Sequence, residues 1–167
     1  MLIINGSGSI MSQPFDSDTL GFLISDVARL FRAEVERRIA AAGVAVTPGE
    51  GRALANVARC GTVRQNVLAE RMGVEAMTLS GYLDRLESRG LVTRTADPID
   101  RRAKLVQLTP QAEDVLVEVR AIGAAMREDL TGRMGVERWD ELIGALKVLR
   151  EELSTMKGDA PRSGEPS

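Results

Sequence analysis

Residues 62–109 read TVRQNVLAERMGVEAMTLSGYLDRLESRGLVTRTADPIDRRAKLVQLT, and this stretch decides the fold. Thr62 followed by Gln65 has the spacing of a capping box, which predicts a helix opening there. Leu68, Ala69 and Met72 then recur at helical spacing, so one side faces a core while Arg64, Glu70 and Arg71 face water. Gly73 is placed to stop that helix, because glycine tolerates the left-handed conformation that ends one. A second helix is expected from Glu75, with Met77, Leu79, Leu83 and Leu86 buried. Its other face carries Thr78, Ser80, Gly81, Tyr82 and Arg85, small or hydrogen-bonding groups of the kind that a helix in a major groove presents to base edges and phosphates. Gly90 ends it, and LVTRTAD and AKLVQLT follow as short alternating β runs.

Between those runs lies Asp97-Pro98-Ile99-Asp100-Arg101-Arg102, whose Pro and Asp mark a turn and whose arginines crowd its tip. Long, permanently charged side chains on a protruding loop suit a phosphate backbone or a narrow minor groove. Asp100 either orients these arginines or pairs with Arg85 on the neighbouring helix. Two helices joined by a glycine turn and followed by a basic hairpin make a winged helix-turn-helix, a shape for gripping DNA. The candidate DNA-contacting set is Arg64, Gln65, Thr78, Ser80, Gly81, Tyr82, Arg85, Asp100, Arg101, Arg102 and Lys104.

Outward from this stretch the pattern is helical on both sides. A long helix is expected from about Ser17 to Ala42, with Leu20, Leu23, Val27, Leu30, Phe31, Val35 and Ile39 as its apolar positions and Gly43 as its end. Thr47-Pro48-Gly49-Glu50 marks another start, with Thr47 as cap, Pro48 first and Glu50 third. That helix should pack Leu54, Val57 and Ala58 behind the reading head and end at Cys60-Gly61. After the wing, Pro110 opens a helix expected to reach Gly132, with Val115, Leu116, Val119, Ile122, Met126 and Leu130 as one stripe. A loop from Gly132 to Gly135 precedes a last helix, Val136 to Met156, carrying Trp139, Leu142, Ile143, Leu146, Leu149 and Leu153.

The fold class is therefore mainly α with a small β-wing, a winged helix-turn-helix flanked by N- and C-terminal dimerisation helices. The stripes of the flanking helices are too wide for one such domain to cover, and two-fold association is the commonest solution. The expected division is a disordered leader over 1–16, an N-terminal dimerisation helix over 17–46 and the DNA-binding domain over 47–109. C-terminal dimerisation helices over 110–156 and a Gly/Pro/Ser-rich tail over 157–167 complete it. Met11 is an alternative start to Met1.

Composition agrees with this division. Aromatic residues make up 3% of the 167 and hydrophobic ones 44%, so the core is aliphatic. The formal net charge is −2, yet Arg59 to Lys104 holds nine basic and six acidic side chains, so the basic surplus is confined to the reading segment. One cysteine and no histidine exclude an intrachain disulfide, suit a reducing cytoplasm and argue against a transition-metal site or any cofactor. With no histidine and no nucleophile elbow, P-loop or dinucleotide fingerprint, an enzyme is not expected. No apolar run approaches the roughly 20 residues of a membrane span, and the N-terminus lacks the basic and apolar regions of a signal peptide.

LAERMGV, TLSGYLDRLESRGLVTR, D-x-R-R-A-K and LT-P before a long helix together resemble the MarR family of bacterial transcriptional regulators, over roughly residues 17 to 156. The resemblance implies a homodimer whose two recognition helices enter successive major grooves of a palindromic operator while the wings reach the flanking minor grooves. Position by position it implies Arg102 as the groove-inserting wing residue, next to Asp100 and Ala103, and Thr78, Ser80, Gly81 and Arg85 on the recognition helix. The chain departs from the pattern at Glu75 and Ala76, where many members have Ser and Gln, at Gly81, where a longer side chain is common, and at Ala112, usually glycine.

The resemblance further implies a repressor released by a small ligand, often an aromatic acid or phenolic compound, held between the dimer helices and the DNA-binding lobe. Arg32, Arg52 and Arg59 are candidate carboxylate anchors, none favoured by the sequence, while the methionines and Trp139 read as core. The alternatives are a thiol-based repressor sensing oxidation through Cys60, with Arg59 beside it, and a winged-helix module that binds protein instead of DNA.

Overall fold

A computed structural model describes residues 18–158. The expected leader, the alternative start at Met11 and the tail beyond Gly158 lie outside the described residues. In chain order the elements are α1 (Leu20–Ala41), α2 (Pro48–Cys60), β1 (Val63–Arg64), α3 (Gln65–Met72), α4 (Ala76–Ser88), β2 (Val92–Ala96), β3 (Lys104–Leu108), α5 (Ala112–Met134) and α6 (Val136–Gly158).

α2 begins as its sequence dictates. The Thr47 side chain accepts a hydrogen bond from the Glu50 backbone N–H, and Glu50 reaches back to accept from the Thr47 N–H at 3.0 Å, a complete capping box with Pro48 at the first helical position. α3 ends at Gly73 in the left-handed region, φ 60° and ψ 42°, a conformation that costs a side-chain-bearing residue free energy. The short turn then delivers α4 across α2 and α3. Leu79, Leu83 and Leu86, at i, i+4 and i+7, are fully buried against Leu54, Val57 and Leu68. The sheet order is β1-β3-β2, antiparallel throughout, with Val106 of β3 opposite Val63 on one side and Arg94 on the other.

The structure differs from the sequence reading at several points. The capping box expected at Thr62 and Gln65 does not form: α3 starts at Gln65 with Arg64 as its N-cap and no side-chain cap bond. Val63 and Arg64 instead pair with β3, which buries the β-branched Val63 against the core. Met77 is 84% exposed, not buried, because at about 100° per residue it lies about 160° around the helix from Leu79. On α2, Ala58 is exposed and Ala53 takes the buried place expected for it. α5 starts at Ala112, after a turn in which the Ala112 and Glu113 N–H groups donate to Thr109 and Pro110. It then runs through Gly132 to Met134, so the expected loop shrinks to the cap at Gly135.

Leu83 is central to the packing between α4 and the rest of this core, with no exposed surface. Leu83→Ala is expected to cost about 2–5 kcal/mol of stability through reduced burial and a residual cavity, measured by urea denaturation. A loss below about 1 kcal/mol would contradict this packing.

The flanking helices are open where the core is closed. Ile39 is the sole buried residue of α1, and α6 buries none among its described side chains. α1 is fastened to α5 by Arg38, whose Nη2 donates to Asp129 at 2.7 Å while its Nε donates to Glu34 at 2.7 Å. Hydrogen bonds from Arg37 and Arg38 hold the Glu34 carboxyl down to about 2. Leu23, Ile24, Val27 and Phe31 of α1 face Leu142 and Leu146 of α6 across a groove of about 750 Å³, with Arg32, Pro48 and Arg52 also in its lining. Among the described residues no helix is long and apolar enough to cross a membrane.

Candidate nucleic-acid interface

The wing takes its shape from Asp97, 3% exposed. One carboxylate oxygen accepts from the backbone N–H groups of Ile99 at 2.8 Å and Asp100 at 3.3 Å, which folds the chain over Pro98. The other accepts from Arg64 Nε at 2.6 Å, tying the hairpin to the start of α3. Asp100 repeats the device one step on, its side chain accepting from the Arg102 N–H at 3.1 Å. Of the two roles open to Asp100, it therefore shapes the backbone that carries the arginines and does not pair with Arg85. Arg101 and Arg102 stand exposed at the tip and make no ion pair among the described residues.

Between the wing, the start of α3 and the first turns of α4 lies a cleft of about 540 Å³. It brings together Gln65, Ser80, Asp100, Arg102 and Lys104 of the expected set. Asn66, Ala76, Arg94 and Ala103 also line it, and of these Asn66 and Arg94 are additions to the sequence reading. Asn66 had a legible signal, an amide one residue into the helix, beside Gln65. Thr78 and Gly81 lie elsewhere on α4, Thr78 exposed and Gly81 half-buried. Tyr82 is half-buried, its ring lying against the α2 backbone at Gly49, where an added Cβ would come within 2.5–2.8 Å of it.

Arg64 and Arg85 are engaged by carboxylates. Among the described residues Glu50 and Asp97 are the two buried charged side chains, and each holds one of these arginines. Arg94 is similarly occupied, pairing with Asp84 and Glu87 of α4 at 2.6 Å each. Burial works to raise the Glu50 carboxyl, but hydrogen bonds from Arg85 and Thr47 outweigh it and leave it below the usual range. The Ile99 N–H, opposed by burial and aided by Arg64, does the same for Asp97.

Carboxylates depressed in the folded state contribute stability that is fully present above their unfolded values, about 4, and lost as pH falls through the folded ones. The melting temperature should hold from pH 7 to about 5 and drop steeply below about pH 4. Asp97→Asn should be less stable at pH 7 and lose less on acidification. An acid limb of equal depth in wild type and variant would contradict this role for Asp97.

Cys60 is half-buried at the end of α2, where Arg71 Nη1, not Arg59, contacts its Sγ at 2.7 Å. Among the described residues no three metal-ligating side chains converge.

A helix-turn-helix with a basic hairpin beside its second helix defines the winged helix-turn-helix fold. Residues 46–104 match the model of the MarR family, and the fold of the chain matches MarR winged-helix structures over most of its length. A crystal structure of MarR superposes with a TM-score of 0.72 at 23% identity, covering 88% of this chain and 99% of that one. A MarR-family regulator from Rhodococcus sp. RHA1 gives 0.67 at 27% identity, covering 83% and 96%. The transcriptional repressor CouR, solved bound to a 23-mer DNA duplex, gives 0.63 at 24% identity, covering 84% and 99%.

Proposed function

We propose that this chain is a cytoplasmic, non-enzymatic repressor of transcription that works as a homodimer on a palindromic operator and is released by a small aromatic or phenolic ligand. The observation that carries the DNA reading is the cleft joining Ser80 of α4 to Arg102 and Lys104 of the wing, two exposed cations that make no direct salt bridge among the described residues. Phosphate neutralisation by such side chains supplies affinity, and the polar face of α4 supplies readout. CouR, a repressor of like fold, binds a duplex, which supports the same partner here.

In this reading residues 47–109 hold the DNA-reading unit, while 17–46 and 110–156 hold the pairing helices. The open apolar faces of α1 and α6 support a second copy as their cover. The groove between them supports the ligand. Its lining is mostly apolar with Arg32, Glu36 and Arg52 among it, and the buried Nε of Arg52 has no hydrogen-bond partner. A ligand that fits one spacing of the recognition helices better than another shifts the pair away from half-sites about 10 base pairs apart.

Selection of bound duplexes from a random pool, repeated with an aromatic carboxylate present, tests this. An inverted repeat is expected, with binding weakened by the carboxylate. Ser80→Ala should change the preferred sequence at a cost of about 1–3 kcal/mol for each base interaction it removes. An equal loss on selected and random duplexes would remove Ser80 from base reading, and no retained duplex at low salt would leave a protein-binding module as the better reading.

A further inference from the structure

α4 is held from two flanks. On one, Tyr82, Arg85 and Arg89, at i, i+3 and i+7, all meet the first turn of α2: the Tyr82 ring lies on Gly49, Arg85 Nε donates to Glu50 at 2.5 Å, and Arg89 Nη1 is 3.8 Å from the same carboxylate. The Arg85 guanidinium also lies over the Tyr82 ring, 5.6 Å from its centroid. On the other flank Asp84 and Glu87 grip Arg94 of β2. At about 100° per residue these two sets lie on nearly opposite sides of the helix, so together they fix its rotation about its own axis. The leucine stripe sets which face turns inward, and these directional contacts on its two sides add to that constraint.

We infer that Glu50 is the positioning residue that sets which side chains of α4 face DNA, and that Arg85 acts as a strut to Glu50 and not as a DNA contact. The inference rests on the DNA reading above for its consequence, though not for its geometry. Glu50 is fitted to this task because its two oxygens are divided. One caps α2 through the Thr47 N–H, which fixes the carboxylate in place, and the other receives Arg85. The carboxylate is buried at 2% exposure while the Arg85 side chain is 55% exposed, so the anchor is fixed within the protein and screening acts at the arginine end. A side chain 35 residues away from Arg85 in the chain thereby fixes the angle of the reading face.

Glu50→Gln keeps an acceptor for the Thr47 N–H and removes the charge facing Arg85; Arg85→Gln removes the other partner. Each variant, and the pair together, is titrated on a selected duplex and on a random one across a salt series. The inference predicts that both single variants lower the ratio of selected to random affinity about tenfold or more. It also predicts an unchanged salt slope, and a double variant no worse than the poorer single one. A slope reduced by about 0.9 in Arg85→Gln, with the ratio unchanged in Glu50→Gln, would make Arg85 a phosphate contact and overturn it. Amide hydrogen exchange without DNA gives an independent reading. Exchange should quicken across residues 76–88 in both variants and stay unchanged across 104–108. Unaltered exchange over 76–88 would overturn the clamp, whereas a wild-type chain that binds no duplex would overturn the DNA reading and leave exchange to decide the clamp.

Discussion

Leu23→Glu combined with Phe31→Glu is expected to leave the chain monomeric and to lower its affinity for an inverted repeat by about a thousandfold. Both side chains lie on α1 and line the groove toward α6, Leu23 45% and Phe31 47% exposed in the single chain. Neither supports the reading head, whose buried cluster runs from Val46 to Leu116 without them, so the fold of 47–109 should persist. Two carboxylates placed on this largely apolar face lose hydration where a second copy covers them, at a cost of several kcal/mol. A single reading head then retains mainly phosphate contacts, and binding falls toward the non-specific range of roughly 10⁻⁴–10⁻⁶ M. Light scattering reads the mass and a binding titration the affinity. A variant that still pairs, or a monomer that binds as tightly as wild type, would contradict the proposed assembly.

The second large effect is expected at the wing. Arg101→Ala with Arg102→Ala should weaken binding to selected and random duplexes alike, by about a hundredfold at low salt. The dependence of log K on log salt should fall by about 0.9 for each phosphate that the variant no longer neutralises. The pair is the sharpest choice on the hairpin because the turn that carries them is built from Asp97 and Asp100 accepting backbone N–H groups, which the substitutions leave in place. Loss of affinity thus reports on the guanidinium groups themselves. A salt slope identical to wild type, or a loss confined to the selected sequence, would count against phosphate or minor-groove engagement by this loop.

Much of this architecture is legible in the chain. Leu68 and Met72, then Gly73, then Leu79, Leu83 and Leu86 give two helices with their buried faces and the turn between them. Pro98 amid acidic and basic residues gives the wing. Local signals carry this information: helical period, a residue that accepts positive φ, a proline that cannot pair in a strand. What stayed hidden depends on distant partners. β1 has two residues and no period of its own, and it exists because β3 offers Val63 a buried place, so the Thr62 and Gln65 pattern pointed to a cap instead.

The candidate site shows the same division. Arg64 and Arg85 carry the composition of DNA contacts, yet their carboxylate partners lie 33 and 35 residues away, and no spacing rule connects them. Asp97 was legible as a turn former and Glu50 as the third position of the helix that Thr47 caps. Their second roles, holding those arginines, follow from burial that only the folded chain provides. Met77 shows the converse error, an apolar side chain assigned to the core by type although the helical period points it to solvent.

The most direct test of the central claim is the mass and footprint of the complex on a duplex selected from a random pool. Sedimentation should give two chains per duplex, and cleavage protection should show two windows centred about 10 base pairs apart. One chain per duplex, a single unpaired window, or no complex at low salt would contradict it.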